Sequence, residues 1–543
     1  MPNQLTAAFP HEQELDWLPW DGSHDSDVKN LSTSGKGPTF RLLIPTASKA
    51  TLSLCRIILS AAILNYPPPT LLGFGNKEDV DGPGADVMRD ALRFVGWKDA
   101  REDDLVLIVD ESLWLHRILI SNGYIPNSFL DALFQLPAEV LISRFFHTIR
   151  DSNYVLLQKY GRYPGNSTAS QRPQRYYTNV LFGAQKDCTD SPSSPACPSA
   201  PPSTLPEYPH DPYKRHEWEH RRPRYFTSSM VMGTVGHLRP IYKYASDLLN
   251  TDVGRNGSQD VLAQIFGAQE HQRALYHQST LSPFAKASKW IASRFIPESE
   301  DQCRLLYHST ILNKSNASDG NVHRDFGISL DYTSSVLQVL DCASENDVQF
   351  VKSSNLSKSL HLSERSLKKI HLPRDLNGTA PPYGMHPPSE GPLTALEAPP
   401  QSLAWSDINL ATNFVIPESP IIPSILHISP QINATIQLWY EPYARTLFQQ
   451  SLHAPPTSIT LTIPPLLQFK PNRHMLTELE SAALNATQQS SGWREVSYTD
   501  LRGGRGGIWT EKGEWKAWDE VCGAFDDVLL SDGKVVLSNE GAV

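Results

Sequence analysis

The sequence predicts an α/β protein built on a doubly wound sheet. Two observations carry this. Three apolar strand-like segments, 41–45, 70–74 and 105–109, alternate with helical patterns across short connections. The third segment ends in a carboxylate, Asp110. Strand and helix alternating in this way build right-handed parallel units. A charged group at the carboxyl end of such a strand sits where open α/β sheets bind ligands.

Each element has its own signal. Arg41-Leu42-Leu43-Ile44-Pro45 is a buried-strand pattern. Ser48 is placed to cap a helix from Lys49 to about Asn65, with Leu54, Ile57, Ile58 and Ala61 on one face. Pro67, Pro68 and Pro69 stop it. Strand 70–74 follows, then a short helix over 86–95 ended by Gly96, then strand 105–109. A helix is expected over 138–146 and strands over 154–157, 179–183 and 230–233. Helices are expected over 238–249 and 260–266, an edge strand over 326–330 and extended chain over 421–428. Residues 1–39 are polar and read as disordered, and 187–223 and 374–402 as Pro-rich loop insertions. Residues 451–543 read as a small C-terminal helical extension. Trp515, Trp518, Val521, Cys522, Phe525 and Val528 fall at helical spacing there, after a Gly-rich hinge at 502–507.

Composition removes several classes. The chain has 543 residues, a net charge of −10 and no strongly basic half, so a nucleic-acid partner is not expected. The best apolar run, 52–64, is too short for a membrane span and carries Arg56. The first twenty residues are acidic and polar, unlike a signal peptide or anchor. N-x-S/T acceptors at Asn30, Asn166, Asn256, Asn313, Asn316, Asn355, Asn377, Asn433 and Asn485 nevertheless point to the secretory route. Cys188 and Cys197 flank a Pro/Ser loop and either bridge it or remain thiols. Cys55, on an apolar helical stripe, reads as a core residue.

Two short motifs weigh little. His216-Glu217-Trp218-Glu219-His220 matches a zinc-protease signature, in which both imidazoles hold the metal and Glu217 acts as base. Pro209, Pro212 and Pro223 bracket it and no apolar face would bury it, so a charged surface loop is the better reading. His323-Arg324-Asp325 resembles one arm of an iron site but reads as a polar loop before a strand.

The acids Asp110 and Asp131 are the most informative pair. Two carboxylates near a strand end make a hard-oxygen site for Mg²⁺ or Mn²⁺. Glu111–Leu130, twenty residues, stand between them.

Several segments in order resemble a fungal glycosyltransferase family related to the glycosyltransferase domain of procollagen lysyl hydroxylases and to collagen galactosyltransferases. They are Leu42–Ser48, Leu64-Asn65-Tyr66-Pro67, Leu105–Asp110 with Phe134-Gln135-Leu136-Pro137, and Tyr177–Ala184. Next come Arg222–Phe226, Met232–Arg239, Ser258-Gln259-Asp260 with Ile265–Glu270, and Phe326–Tyr332. The likeness covers roughly residues 40–450.

The resemblance implies a GT-A-like (Rossmann-like) nucleotide-sugar-binding domain with a D-x-x-D-type metal motif. It also implies Mn²⁺ (or Mg²⁺), a donor such as a UDP-hexose, a hydroxyl acceptor on a glycan or protein, and the Golgi lumen. Asp110, Asp131 and the late His427 would hold the metal. Pro45, Thr46 and Ala47 would line the nucleotide end, and Asp260 or Glu270 would contact the acceptor or act as base. This chain departs from the pattern in four places. Glu111–Leu130 separate the acids, and their apolar composition reads as a retained intron. Thr227 and Ser229 replace Asn and Gly. Gly257-Ser258-Gln259-Asp260 stands for Ser-Asp-Gln, and Ile428-Ser429-Pro430 for Phe-Asn-Gly. The alternative is therefore a catalytically impaired relative with a binding role.

Overall fold

The computed structural model describes residues 37–46, 49–75, 91–92, 94, 100–110, 131–163, 174–188, 200–201, 203–205, 222–249, 258–280, 282, 325–340, 343, 347–355, 372–385, 399–400, 403–415, 420–428, 438–463 and 494–532. The expected helix over 86–95 falls largely outside these residues. So do Ala47, Ser48, the insertion 111–130, Cys197, the 216–220 motif and His323.

Strand β1 (Phe40–Pro45) feeds helix α1 (Leu52–Ile63), then β2 (Thr70–Leu72), β3 (Leu105–Val109) and β4 (Asp131–Phe134). Helix α2 (Ala138–Tyr160) leads to β5 (Val180–Gln185), β6 (Tyr225–Thr234), α3 (Val235–Leu249) and α4 (Ser258–Thr280). Then come β7 (Ile328–Asp331), β8 (Leu337–Val339), β9 (Val348–Val351), α5 (Arg374–Asn377), β10 (Leu410–Asn413) and β11 (Ile425–Ile428). The chain finishes with α6 (Ala444–Leu452), β12 (Ser458–Ile463), β13 (Arg494–Thr499), β14 (Ile508–Thr510), β15 (Trp515–Lys516), α7 (Trp518–Val521) and α8 (Asp526–Leu529). The described residues from Pro38 onward form one compact unit.

The fold is mixed α/β around an eight-stranded sheet of order β15-β14-β2-β1-β3-β6-β5-β7. β14, β2, β1 and β3 are mutually parallel, and β5 runs parallel to β7. β6 runs against both β3 and β5, and β15 against β14. The expected doubly wound sheet therefore carries reversed strands that local pattern did not signal. Both faces are covered at the centre, so β3 is apolar and buried throughout. Alternate residues serve opposite cores. Leu42, Leu105, Leu107 and Val109 pack with Leu54, Ile57 and Ile58 of α1. Leu43, Val106 and Ile108 pack with Ile241 and Tyr242 of α3 and Val261 and Phe266 of α4. A second sheet, β4-β11-β8, belongs to the α1 side, where Ala132, Leu133 and Phe134 join that core.

Four local expectations are corrected. Thr51 caps α1, its side-chain oxygen accepting from the Leu54 amide at 3.0 Å. Segment 154–157 is helix, not strand. Tyr154 and Val155 lie on its exposed side, while Asn153 and Leu156 face inward. Asn153 donates to the Thr178 carbonyl and accepts from its amide, and that anchoring outweighs a β-prone run.

The C-terminal segment is no helical extension. Its strands β14 and β15 join the edge of the main sheet, and the tryptophan stripe is split among β15 and the four-residue α7 and α8. Trp518 packs on Phe448 at 4.7 Å, and its indole N–H donates to Asp526 at 2.6 Å. The Gly-rich 502–507 run is packed rather than a free hinge. Gly504 lies against the Trp515 ring and Gly506 against Leu452 and Phe448, both at positive φ.

Cys55 is core but not a thiol: it forms a disulfide with Cys522. Sequence offered no pairing signal, because 467 residues separate the two. Cys188 is also disulfide-bonded. No described helix is long and apolar enough to cross a membrane.

Candidate functional site

The carboxyl edge of the main sheet gathers three of the candidate residues, Pro45, Thr46 and Asp110. β2 lies on one side of β1 and β3 on the other, so the chain changes its direction of winding between β1 and β3. The crevice outside such a switch point is where open α/β sheets take ligands. The parallel register pairs Leu43 with Ile108, and two residues further it brings Pro45 level with Asp110. Thr46 is buried and donates its amide to the Leu72 carbonyl at 3.0 Å, tying the β1 end to the β2 end. The amino end of α1 follows at the same edge and adds its positive dipole end.

Asp110 is buried, with 8% of its surface exposed. Its amide donates to the Ser229 carbonyl at 3.0 Å. Burial drives the Tyr242 phenol upward first, and the Asp110 charge raises it further. The hydroxyls of Thr227 and Ser229 bond each other at 2.8 Å in β6, beside Asp110. Two hydroxyls thus occupy the positions where the resemblance leads one to expect an amide and a bare backbone.

The second sheet brings Asp131 and His427 into neighbouring strands. β4 and β11 are antiparallel, with Asp131 opposite Ile428 and Ala132 opposite His427. The 295 residues between positions 131 and 427 are thereby closed into one strand pair, and because the two positions stand one residue out of register they belong to opposite faces of that sheet. His427 is 2% exposed, and neither ring nitrogen has a hydrogen-bond partner among the described residues. Burial pulls its pKa down to about 4, so the imidazole is neutral at physiological pH. A neutral, buried, unpartnered imidazole is a suitable nitrogen donor to a divalent cation. Among the described residues no group of three His, Cys, Asp or Glu side chains converges.

The two acids of α4 are separated. Asp260 lies in the first turn, buried, and accepts from Gln264 at 2.7 Å. The preceding Gln259 accepts from Ser228 at 3.3 Å, which holds this end of α4 to β6 next to the Asp110 strand. Glu270 sits roughly 15 Å further along the helix. It accepts from the buried Arg273 at 2.8 Å, and Arg273 grips Asp325 through two nitrogens at 2.7 Å. That clamp fixes the start of β7, since Asp325 also accepts from the Gly327 amide and Gln269 from the Ile328 amide. Glu270 thus sits in an ion network around the buried Arg273, and Asp325 of the discounted iron motif belongs to the same network.

Sequence reasoning passed over two groups at this edge. Lys186, just past β5, makes a buried ion pair with Asp347, beside the Gln338–Asn413 side-chain bond. Glu511 directly follows β14 and accepts a long bond from the Gly73 amide at 3.4 Å. A charged residue directly after a short strand was the available signal in both cases. Comparison with known proteins adds no relative: no family model matches the chain, and no curated protein matches it.

Proposed function

We propose that this protein is a divalent-metal-dependent glycosyltransferase with a GT-A-like core, moving a hexose from a nucleotide sugar to a hydroxyl of a glycan or protein. The observation that carries it is the level placement of the Pro45–Thr46 end of β1 and Asp110 of β3 at the winding switch, with His427 unpartnered in a neighbouring strand pair. Such a crevice suits a nucleoside diphosphate. Asp110, with one of Asp131 or His427, which stand on opposite faces of their sheet, would hold Mn²⁺ (or Mg²⁺), an imidazole favouring Mn²⁺. The metal, when bound, neutralises the charge that develops on the departing diphosphate. Pro45 and Thr46 line the nucleotide end, and the α1 amino end favours the phosphates. The Thr227 and Ser229 hydroxyls can donate to an anionic oxygen brought beside Asp110. Asp260 is the described acid best situated to meet an acceptor hydroxyl, at the α4 end held to β6.

A second reading, a relative that binds but does not transfer, is favoured by the twenty residues between the acids. Mn²⁺ with uridine diphosphate separates the outcomes. Binding at a hundred times Kd stabilises by about 2.7 kcal/mol and raises the melting temperature. A Mn²⁺-dependent shift lost in Asp110→Asn and His427→Leu, together with release of hexose from the donor, supports the transferase. A shift without hexose release supports the binding protein. No shift at all rejects the nucleotide site.

A further inference from the structure

We infer that Arg175, with Tyr163 and Tyr276, forms a second binding site, which takes the carboxylate of a sugar acid such as a uronic acid. The inference is independent of the nucleotide reading above. Strand β5 runs against β6, and β6 against β3, so β5 has the direction of β3. Arg175 precedes β5 and so stands at the amino edge of the sheet, opposite the edge where Asp110 follows β3.

Local structure fixes Arg175 there. Arg162 and Gln174 form an antiparallel bridge, and the Arg175 amide donates to the Gly161 carbonyl at 3.2 Å. The buried Gln174 donates through its side chain to the carbonyls of Asn153 and Tyr176, both at 2.7 Å. The backbone is thus held in place before any ligand arrives.

The Arg175 guanidinium is held by rings rather than by acceptors. Its central carbon lies 4.4 Å from the Tyr163 ring centroid and 4.0 Å from that of Tyr276. Its Nε is buried without a partner, and among the described residues the guanidinium forms no hydrogen bond or ion pair. Donors left unpaired beside apolar rings are costly. The neighbouring carboxylates are engaged: Arg273 holds Glu270 and Asp325, and it reaches Tyr276 only through Tyr176. Local sequence supplies no other. Residues 152–186 carry Lys159, Arg162, Arg172, Arg175 and Lys186 but no Asp or Glu, an excess of positive charge in a chain of net charge −10.

Chemistry narrows the ligand. A planar guanidinium fork matches the two coplanar oxygens of a carboxylate, and one cation balances one negative charge. Arg175 and Tyr276 are half-buried, so both reach the surface. The Tyr276 hydroxyl has no partner among the described residues. A ring with an apolar face and a polar tip suits a sugar ring bearing hydroxyls.

The test titrates the full chain, without added metal, with D-glucuronate, D-glucose, N-acetylglutamate and inorganic phosphate, read by saturation-transfer NMR. The wild type should bind glucuronate about ten- to a hundredfold more tightly than glucose, as expected for hydrogen bonds between charged groups. Arg175→Gln should bring glucuronate down to the level of glucose. Arg175→Lys, which keeps the charge but not the fork, should lose most of the preference too. Excess uridine diphosphate should leave glucuronate binding unchanged. Equal binding of glucuronate and glucose by the wild type overturns the inference, and this arm decides even where a variant fails to fold. Undiminished preference in a folded Arg175→Gln variant overturns it as well. Tighter binding of phosphate or N-acetylglutamate than of glucuronate defeats the sugar-acid assignment. Displacement by uridine diphosphate would place the sugar at the opposite edge and overturn the second site.

Discussion

Cys55 of α1 and Cys522 after α7 are joined by a disulfide with Cα atoms 5.6 Å apart, across 467 residues of sequence. Both sulfurs lie in the core, against the apolar face of α1. The bond fastens the C-terminal segment to α1, the first helix after β1.

Replacing both cysteines, Cys55→Ala with Cys522→Ala, should cost about 2–5 kcal/mol of stability. Urea unfolding of the variant and wild type measures it. Equal midpoints would show that packing of Trp518 and Val521 alone holds the segment.

The Arg273 clamp gives a second prediction. Arg273→Met leaves Glu270 and Asp325, both partly exposed, without their buried cation, and should destabilise by about 1–3 kcal/mol. The same denaturation experiment reads it. A loss below 1 kcal/mol would mean the network is solvated and contributes little.

Gly504 tests the packing of the Gly-rich run. A Cβ there would meet the Trp515 ring, and φ is already +80°. Gly504→Ala should cost on the order of 1–3 kcal/mol. A neutral outcome in thermal unfolding would restore the hinge interpretation.

Glu441 sets a pH dependence. Burial raises its carboxyl to about 7, while hydrogen bonding from Leu438 and the charge of Arg56 act the other way. Its ordinary value is lower, so the folded state holds the proton more tightly than the unfolded chain does. The resulting stability is fully present in acid, below about 4.5, and is lost as pH rises through about 7. Glu441→Gln should flatten that decline and gain on the order of 1 kcal/mol at pH 8. Parallel stability–pH curves for variant and wild type would show that Glu441 ionises normally.

Much of the scaffold was legible because local rules and global packing agree. The alternation of apolar strands and helices over 41–109 requires a parallel core, and the structure has one. Proline ended α1 where steric rules say it must, just before Pro67. The strand–carboxylate junction at Asp110 was visible because a charge rarely follows five apolar residues unless it lies at an edge. Where local pattern failed, long-range contacts had overruled it. Tyr154–Leu157 is β-prone, but Asn153 binds Thr178 and keeps it helical. Trp515–Val528 has helical spacing, but a hairpin and a disulfide divide it.

By itself the sequence determined the fold class, the covered parallel strands and the acid at the end of β3, because periodicity and residue chemistry act over a few neighbours. The tertiary structure alone decided that β6 runs backwards, that His427 stands beside the strand opened by Asp131, and that Cys522 and Glu511 belong next to the first strands. Those relationships depend on burying faces hundreds of residues apart, and no local spacing encodes which distant face will fit.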